Sequence, residues 1–503
     1  MKQPAHPALR RLLAGWLIAS ASAGSAVAAS ADPAETQRIA AVTRPTQDFS
    51  RAEPFEANPA GAATVTAQLN ATAFSYPSGN MSFERQLDFR VGDGIFRKLW
   101  VSAPSSTRSS DGLGPLFNAR SCQTCHLRDG RGQPPRGDDP ATALFLRLSI
   151  PPQTPADHAA LASGQATVIA EPTYGTQLQN FAVAGLSPEG QMVIDFEAVP
   201  ITLADGAVVE LQKPRYRIER LGYGPLHPET MLSPRIASPM IGMGLLEAIP
   251  AEAILAREDP DDRDGDGISG RANWVWDNET GQLELGRFGW KAGQPSVALQ
   301  SAHAFAGDMG IASPLVQLPA GDCTERQPDC LAAPHGVEPG TQLEIDQQMF
   351  DLVVFYSRNL GVPARRDVND PQVLAGKKLF YEAGCTGCHT PKFVTRRDSA
   401  GPEQSFQLIW PYTDLLLHDM GEGLADNRPE GRASGREWRT PPLWGLGLTA
   451  HVSGETTFLH DGRARSILEA ILWHGGEAQA ARDRVVAMSK AERDQLLAFL
   501  NSL

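Results

Sequence analysis

Cys385-Thr386-Gly387-Cys388-His389 decides how this chain is read. Two cysteines separated by two residues, with a histidine directly after them, form the attachment pattern of a c-type haem. The thiols can add to the haem vinyl groups, and the adjacent imidazole then ligates the iron from one side. The pattern also stands earlier, as Cys122-Gln123-Thr124-Cys125-His126, and the two copies use four of the chain's 6 cysteines. One copy in 503 residues would also fit a zinc half-site or a redox dithiol. Two copies behind an export leader predict two covalently bound haem c groups, with His126 and His389 as iron ligands.

The flanks of the motifs predict helices. Asp370-Pro371 make a good cap and first-position pair. The helix they open runs to about Tyr381 and puts Gly376 and Phe380 on one face. Residues 83–100 carry the same device, with Gly92 and Phe96. Ser489 and Glu492 form a capping box for the last helix, whose apolar face includes Leu496, Leu497, Phe499 and Leu500. A small residue beside an aromatic lets two helices cross closely. The expected fold is mainly α: two cytochrome c-like haem domains with a β-containing insertion in the first. The expected bounds are 1–29 for a signal peptide, 30–80 for an irregular extension, 81–345 for the first haem domain and 346–503 for the second. The insertion, at about 140–225, rests on Ala143–Ile150, on Met192–Val199, and on two short segments flanking the Asp205-Gly206 turn.

Lys2, Arg10 and Arg11 precede the apolar run Leu12–Ala19, and small residues follow to Ala29. This is the build of a secretory signal peptide, which places the mature protein in the periplasm. No later apolar run approaches the roughly 18 residues of a spanning helix, so no membrane anchor is expected. Hydrophobic content of 42% with 20% charged residues is that of a folded soluble protein. The formal charge of −13 makes nucleic acid and anionic membranes poor partners. Cys323 and Cys330 are left over and, in an oxidising compartment, most simply form a local disulfide. Asp262, Asp264 and Asp266 precede Gly267 in the D-x-D-x-D-G opening of a calcium loop, 262–273. The usual glutamate at its last position is replaced by Asn273.

An iron with two protein ligands passes electrons, whereas one with an open face can bind a small oxidant. Candidates for a sixth ligand after the second motif are His418, Met420, His451, His460 and His474. A helix from Ser466 to Trp473 would end beside His474, and Met420 is its main competitor.

Five further segments carry a family resemblance. They are Asp111–Cys122, Ser238–Pro250, Gly286–Ala292, Asp414–Gly421 and Phe458–Arg465. With the two motifs they resemble the di-haem oxidoreductases, a branch of the di-haem cytochrome c peroxidase superfamily, over nearly all of the mature chain. The resemblance implies two haem domains with a calcium ion between them. It puts His474 at the second iron's sixth position, counting from the His460-Asp461-Gly462 turn, with Met420 as the alternative. It puts Asp308-Met309 at the position of the peroxidases' acid and methionine, so Asp308 is the candidate acid–base. His303, five residues earlier, could instead close the first iron. The superfamily's bridging tryptophan aligns with Phe288; Trp290, two residues on, is the expected substitute and Trp100 a further candidate. The implied activity is reduction of hydrogen peroxide, or of another small oxidant, at the first haem. The electrons would come through the second haem from a small periplasmic donor, a cytochrome c or cupredoxin. The alternatives are an electron-transfer cytochrome without turnover and an oxidase of a protein or organic substrate. The family's association with periplasmic iron-uptake proteins suggests a setting.

Overall fold

The computed structural model describes residues 32–67, 70–135 and 142–503. The leader expected over 1–29 lies outside the described residues. The chain divides into two units, Met1–Val42 and Thr43–Leu503. Helix α1 (Pro33–Thr43), all but its last residue in the first unit, replaces part of the expected irregular extension and buries none of its residues. The Asp32 carboxylate accepts the Ala34 N–H at 3.0 Å, which opens the helix.

The second unit contains α2 (Phe83–Phe96) and a single helical turn at Cys122–Cys125. Strands β1 (Leu144–Ser149), β2 (Gln191–Thr202), β3 (Val208–Glu219) and β4 (Met231–Ile236) follow. Helices α3 (Val297–Met309), α4 (Gln347–Asn359), α5 (Pro371–Glu382) and α6 (Lys490–Ser502) complete the frame. No described helix is long and apolar enough to cross a membrane.

The same crossing occurs twice. Helix α2 packs on α4, and α5 packs on α6. A Cβ on Gly92 would run into the Leu352 carbonyl and lie 2.8 Å from the Tyr356 Cβ. One on Gly376 would run into the Gln495 carbonyl and lie 2.8 Å from the Phe499 Cβ. Four residues on in each helix, Phe96 and Phe380 reach the motif histidines, with ring centroids 6.2 Å from His126 and 6.3 Å from His389. Asp370 caps α5 by accepting the Gln372 N–H (2.7 Å), and the Ser489–Glu492 capping box opens α6. Helix α4, within the 346–503 stretch expected as the second haem domain, packs on α2 and α3. Its apolar face, Phe350, Val353, Val354 and Tyr356, is complementary to that N-terminal partner.

The expected mainly α class becomes a mixed one, with 30% helix and 17% strand. Every sheet among the described residues has two strands, and such pairs occur in both halves of the unit. Some join segments far apart in the chain, as Leu144–Ser149 with Met231–Ile236, which local periodicity does not announce. Strands β2 and β3 make an antiparallel ribbon from Gln191↔Glu219 to Thr202↔Val208, turning at Gly206. The ribbon is longer than its apolar segments suggested. Arg217 pairs with Asp195 at 3.2 Å and Arg215 pairs with Glu197 across its exposed face. Pro200 and Pro214 are tolerated because each strand has a free edge. Strands β1 and β4 pair antiparallel, so the insertion closes at Ile236, beyond the expected residue 225.

The ribbon tip reaches the C-terminal half. Ala204 N–H donates to Val486 O (3.0 Å), and Asp205 pairs with Arg493. The segment before α2 is docked on the second motif's side of the unit. Glu53 and Glu56 meet Lys377 at 2.9 Å each, Lys392 pairs with Glu53, and Arg365 pairs with Glu56. Cys323 and Cys330 are disulfide-bonded, as the spacing suggested.

Replacing Gly376 with alanine should lower the unfolding free energy by about 1–3 kcal/mol, because the added methyl overpacks the α5–α6 crossing. Chemical denaturation of Gly376→Ala beside Gly94→Ala checks this, since a Cβ on Gly94 meets nothing within 4 Å.

Candidate functional site

A single cavity of about 1010 Å³ is lined by both Cys-x-x-Cys-His motifs. All four motif cysteines are free thiols. Burial pushes Cys122 and Cys385 up to about 12 and raises Cys125 and Cys388 as well. A reactive redox dithiol is favoured by a lowered thiol pKa, and burial here acts in the opposite direction.

Each motif histidine is held in the same manner. His126 Nδ1 lies 2.8 Å from Ser238 O, and His389 Nδ1 lies 2.9 Å from Tyr412 O. A carbonyl only accepts, so Nδ1 carries the proton in both rings and Nε2 keeps its lone pair. Burial lowers both imidazoles to about 4, which keeps them neutral, as metal ligation requires.

The sixth-ligand candidates separate clearly. His474, just beyond the short helix Ile467–Leu472, donates Nδ1–H to Ala470 O (2.7 Å) and borders the cavity. It stands close enough to His389 to depress that ring's pKa. Met420 borders the same cavity. His451 is exposed and does not line it. His418 is fully engaged: Nδ1 is 2.7 Å from Glu477 Oε2 and Nε2 is 2.9 Å from Asp414 Oδ2. Burial opposes a charge on this ring, yet Asp414 raises its pKa well above the ordinary imidazole value. His460 stacks flat on Trp438 at 3.8 Å.

On the first motif's side, Asp308 stands near the end of α3 and borders the cavity. Its charge is felt at both Cys122 and Cys125. Its Oδ1 accepts the Gln177 Nε2–H at 3.0 Å. Burial raises its pKa, while Arg147 and Gln177 work against that rise. His303 borders the same space, and its imidazole makes no hydrogen bond to a described residue. Trp290 lines the cavity, donates Nε1–H to Ile236 O (2.8 Å) and stands edge-on to His460 at 6.5 Å. Phe288 also lines the cavity, whereas Trp100 is a core residue packed on Phe305.

The acidic loop lies beside the second motif. Carboxylate oxygens of Asp262, Asp264 and Asp266 fall within 4.8 Å of one another. Asn273, at the last loop position, is turned away: its amide donates to Lys291 O and Glu430 O, and its oxygen accepts Arg432 N–H. Ser269 N–H and Oγ–H donate to the Glu477 carboxylate at 3.0 and 2.9 Å. The loop therefore connects through Glu477 to His418, a link that the sequence does not display.

The family model described as "Di-haem oxidoreductase, putative peroxidase" matches residues 55–503. The chain belongs to the di-haem oxidoreductase family. No curated protein matches this di-haem oxidoreductase. Among solved structures, a Kuenenia stuttgartiensis hydrazine synthase pressurised with 20 bar xenon aligns over 74% of this chain and 95% of its own. Identity there is 14% and the TM-score 0.30, a likeness too weak to bear on fold or function. The family implies haem, and the residues present fit it: two neutral imidazoles with free Nε2 lone pairs, each beside two free thiols, face one large cavity.

In this di-haem oxidoreductase, removing the His418 ring would leave Asp414 and Glu477 without their shared cation. His418→Ala should cost about 3–5 kcal/mol of stability at pH 6. The raised pKa makes that contribution complete below pH 6.5 and lost as pH rises through the folded-state value. Unfolding titrations of the two proteins should therefore converge at alkaline pH.

Proposed function

We propose that this chain is an exported di-haem c-type cytochrome oxidoreductase. In this reading it reduces hydrogen peroxide at the first site with electrons relayed through the second. The observation that carries the proposal is the presence of both motif histidines and the Asp308 carboxylate on the walls of one cavity. Cys122 and Cys125 would form thioethers at the first site, and Cys385 and Cys388 at the second, with His126 and His389 as the axial ligands. Haem iron supplies one-electron redox chemistry, and a position for a small oxidant where its second axial face is open.

His474, with its proton fixed on Nδ1, would close the second site, and Met420 is the alternative. A closed second site suits the receipt of electrons from a small periplasmic protein, a cytochrome c or cupredoxin. At the first site Asp308 would move a proton from the inner to the outer peroxide oxygen, so that water can leave. Burial raises its pKa, the direction that helps a carboxyl hold a proton before passing it on. Gln177 holds the carboxylate in place. Trp290, on the wall of the shared cavity, is the aromatic relay in this reading. Asp262, Asp264 and Asp266 would hold a calcium ion beside the second motif. The basic–apolar leader supports a periplasmic location, and iron-uptake proteins there are the proposed setting.

One observation favours a second reading. The His303 imidazole, which makes no hydrogen bond to a described residue, borders the first site. If it closes that site, the protein is an electron-transfer cytochrome without turnover. Absorption spectra separate the two readings. The peroxidase reading expects a high-spin ferric population that shifts on addition of peroxide. It also expects Asp308→Asn to lose roughly 10²- to 10⁴-fold in peroxide turnover while keeping its haem. Low-spin spectra in both redox states with no peroxide response would establish the second reading. Loss of bis-histidine spectral character in His474→Ala, but not in Met420→Ala, is the expected outcome at the second site.

A further inference from the structure

Most buried cations in this protein have a carboxylate of their own. Lys291 meets Asp426 at 2.8 Å, Arg428 meets Glu430 at 2.7 Å, and Arg463 meets Asp461 at 2.7 Å. Three arginines break the pattern. Arg131, Arg287 and Arg439 are only 7%, 6% and 7% exposed, and none forms an ion pair with a described residue. All three line the cavity that carries both haem motifs.

Their hydrogen bonds go to neutral backbone carbonyls. Arg131 donates to Leu459 O, Arg287 to Leu246 O (3.1 Å), and Arg439 to Gly289 O (2.9 Å) and Thr440 O (3.0 Å). The Nε–H of Arg131 is buried with no acceptor. Carboxylates stand near each arginine but are committed elsewhere. Asp461, near Arg131, is taken by Arg463. Asp414, near Arg439, is taken by His418. Glu247, near Arg287, accepts both Nε–H and Nη2–H of Arg358, at 2.7 and 3.2 Å. Burial accordingly lowers Arg131 to about 9 and Arg287 and Arg439 to about 10. A desolvated guanidinium without a counter-charge is strongly unfavourable, so the missing negative charge belongs to what fills the cavity. A planar guanidinium with free N–H groups is suited to a carboxylate.

We propose that Arg131, Arg287 and Arg439 receive the propionate carboxylates of the bound haems and, by offsetting the negative charge of those groups, hold the reduction potentials of the haems up. The assignment rests on the di-haem reading above. A fixed positive charge stabilises the reduced, less positive iron, so its removal lowers the potential.

The test is spectroelectrochemical titration of the purified holoprotein with Arg131→Gln, Arg287→Gln and Arg439→Gln, and with the matching lysine variants. Each glutamine variant is expected to show a downward shift of at least one haem midpoint, which its lysine counterpart largely restores. A glutamine variant that is exported without haem, while its lysine counterpart is loaded, supports the same assignment. Unchanged potentials and haem content in all three glutamine variants overturn it. Acetate, as a free carboxylate probe, separates propionates from an anionic substrate. No saturable acetate binding to the wild-type holoprotein is expected; saturable binding that disappears in the glutamine variants overturns the assignment. A wild-type protein isolated without haem would refute the di-haem reading itself. A two-haem protein with unmoved potentials refutes only the role of the arginines.

Discussion

The close crossing of two helix pairs is the constraint on which the rest of the structure depends. Gly92 and Gly376 allow the backbones of α4 and α6 to approach within a distance that any side chain would prevent. One helical turn further on, Phe96 and Phe380 are thereby brought against the motif histidines at nearly the same separation. The histidines are then fixed from the other side by Nδ1–H bonds to Ser238 O and Tyr412 O. Position, tautomer and neutral charge of each ring follow from these few contacts.

The connections that bring the two motifs to one cavity are of a different kind. The β2–β3 ribbon reaches from the N-terminal half to Val486 and Arg493. Glu53 and Glu56 join the segment before α2 to Lys377, Lys392 and Arg365. Lys291 is wholly buried, with Asp426, Arg428 O and Ser434 O as acceptors. Removing one partner of such a buried network is costly because the remaining charges stay desolvated. These buried charges are paired, and the cavity-lining Arg131, Arg287 and Arg439, without an ion pair to a described residue, stand out against them.

What was legible in the sequence is what local chemistry determines. The glycine–phenylalanine spacing, the Ser489–Glu492 cap and the Asp370 cap involve residues within one or two helical turns, and each is seen in place. The sequence did not reveal that α4 packs on α2, since an apolar helix face does not name its partner. Nor did it reveal the pairing of β1 with β4, which lie far apart in the chain, or the docking of Glu56 more than three hundred residues from Lys377. The acidic triplet was legible as a cluster, but the turning away of Asn273 depends on Lys291 and the 430–432 loop. Among the ligand candidates, His418 was separated from His474 only by its two carboxylate partners, one of them 59 residues away.

The proposed chemistry requires one haem attached covalently at each of the two motifs. Intact-mass measurement of the exported protein after acid–acetone extraction tests it most directly. The expected result is a chain that retains two haem masses and has no free thiol at Cys122, Cys125, Cys385 or Cys388. A chain that releases its haem to the solvent, or carries fewer than two, with those thiols open to alkylation, would contradict it.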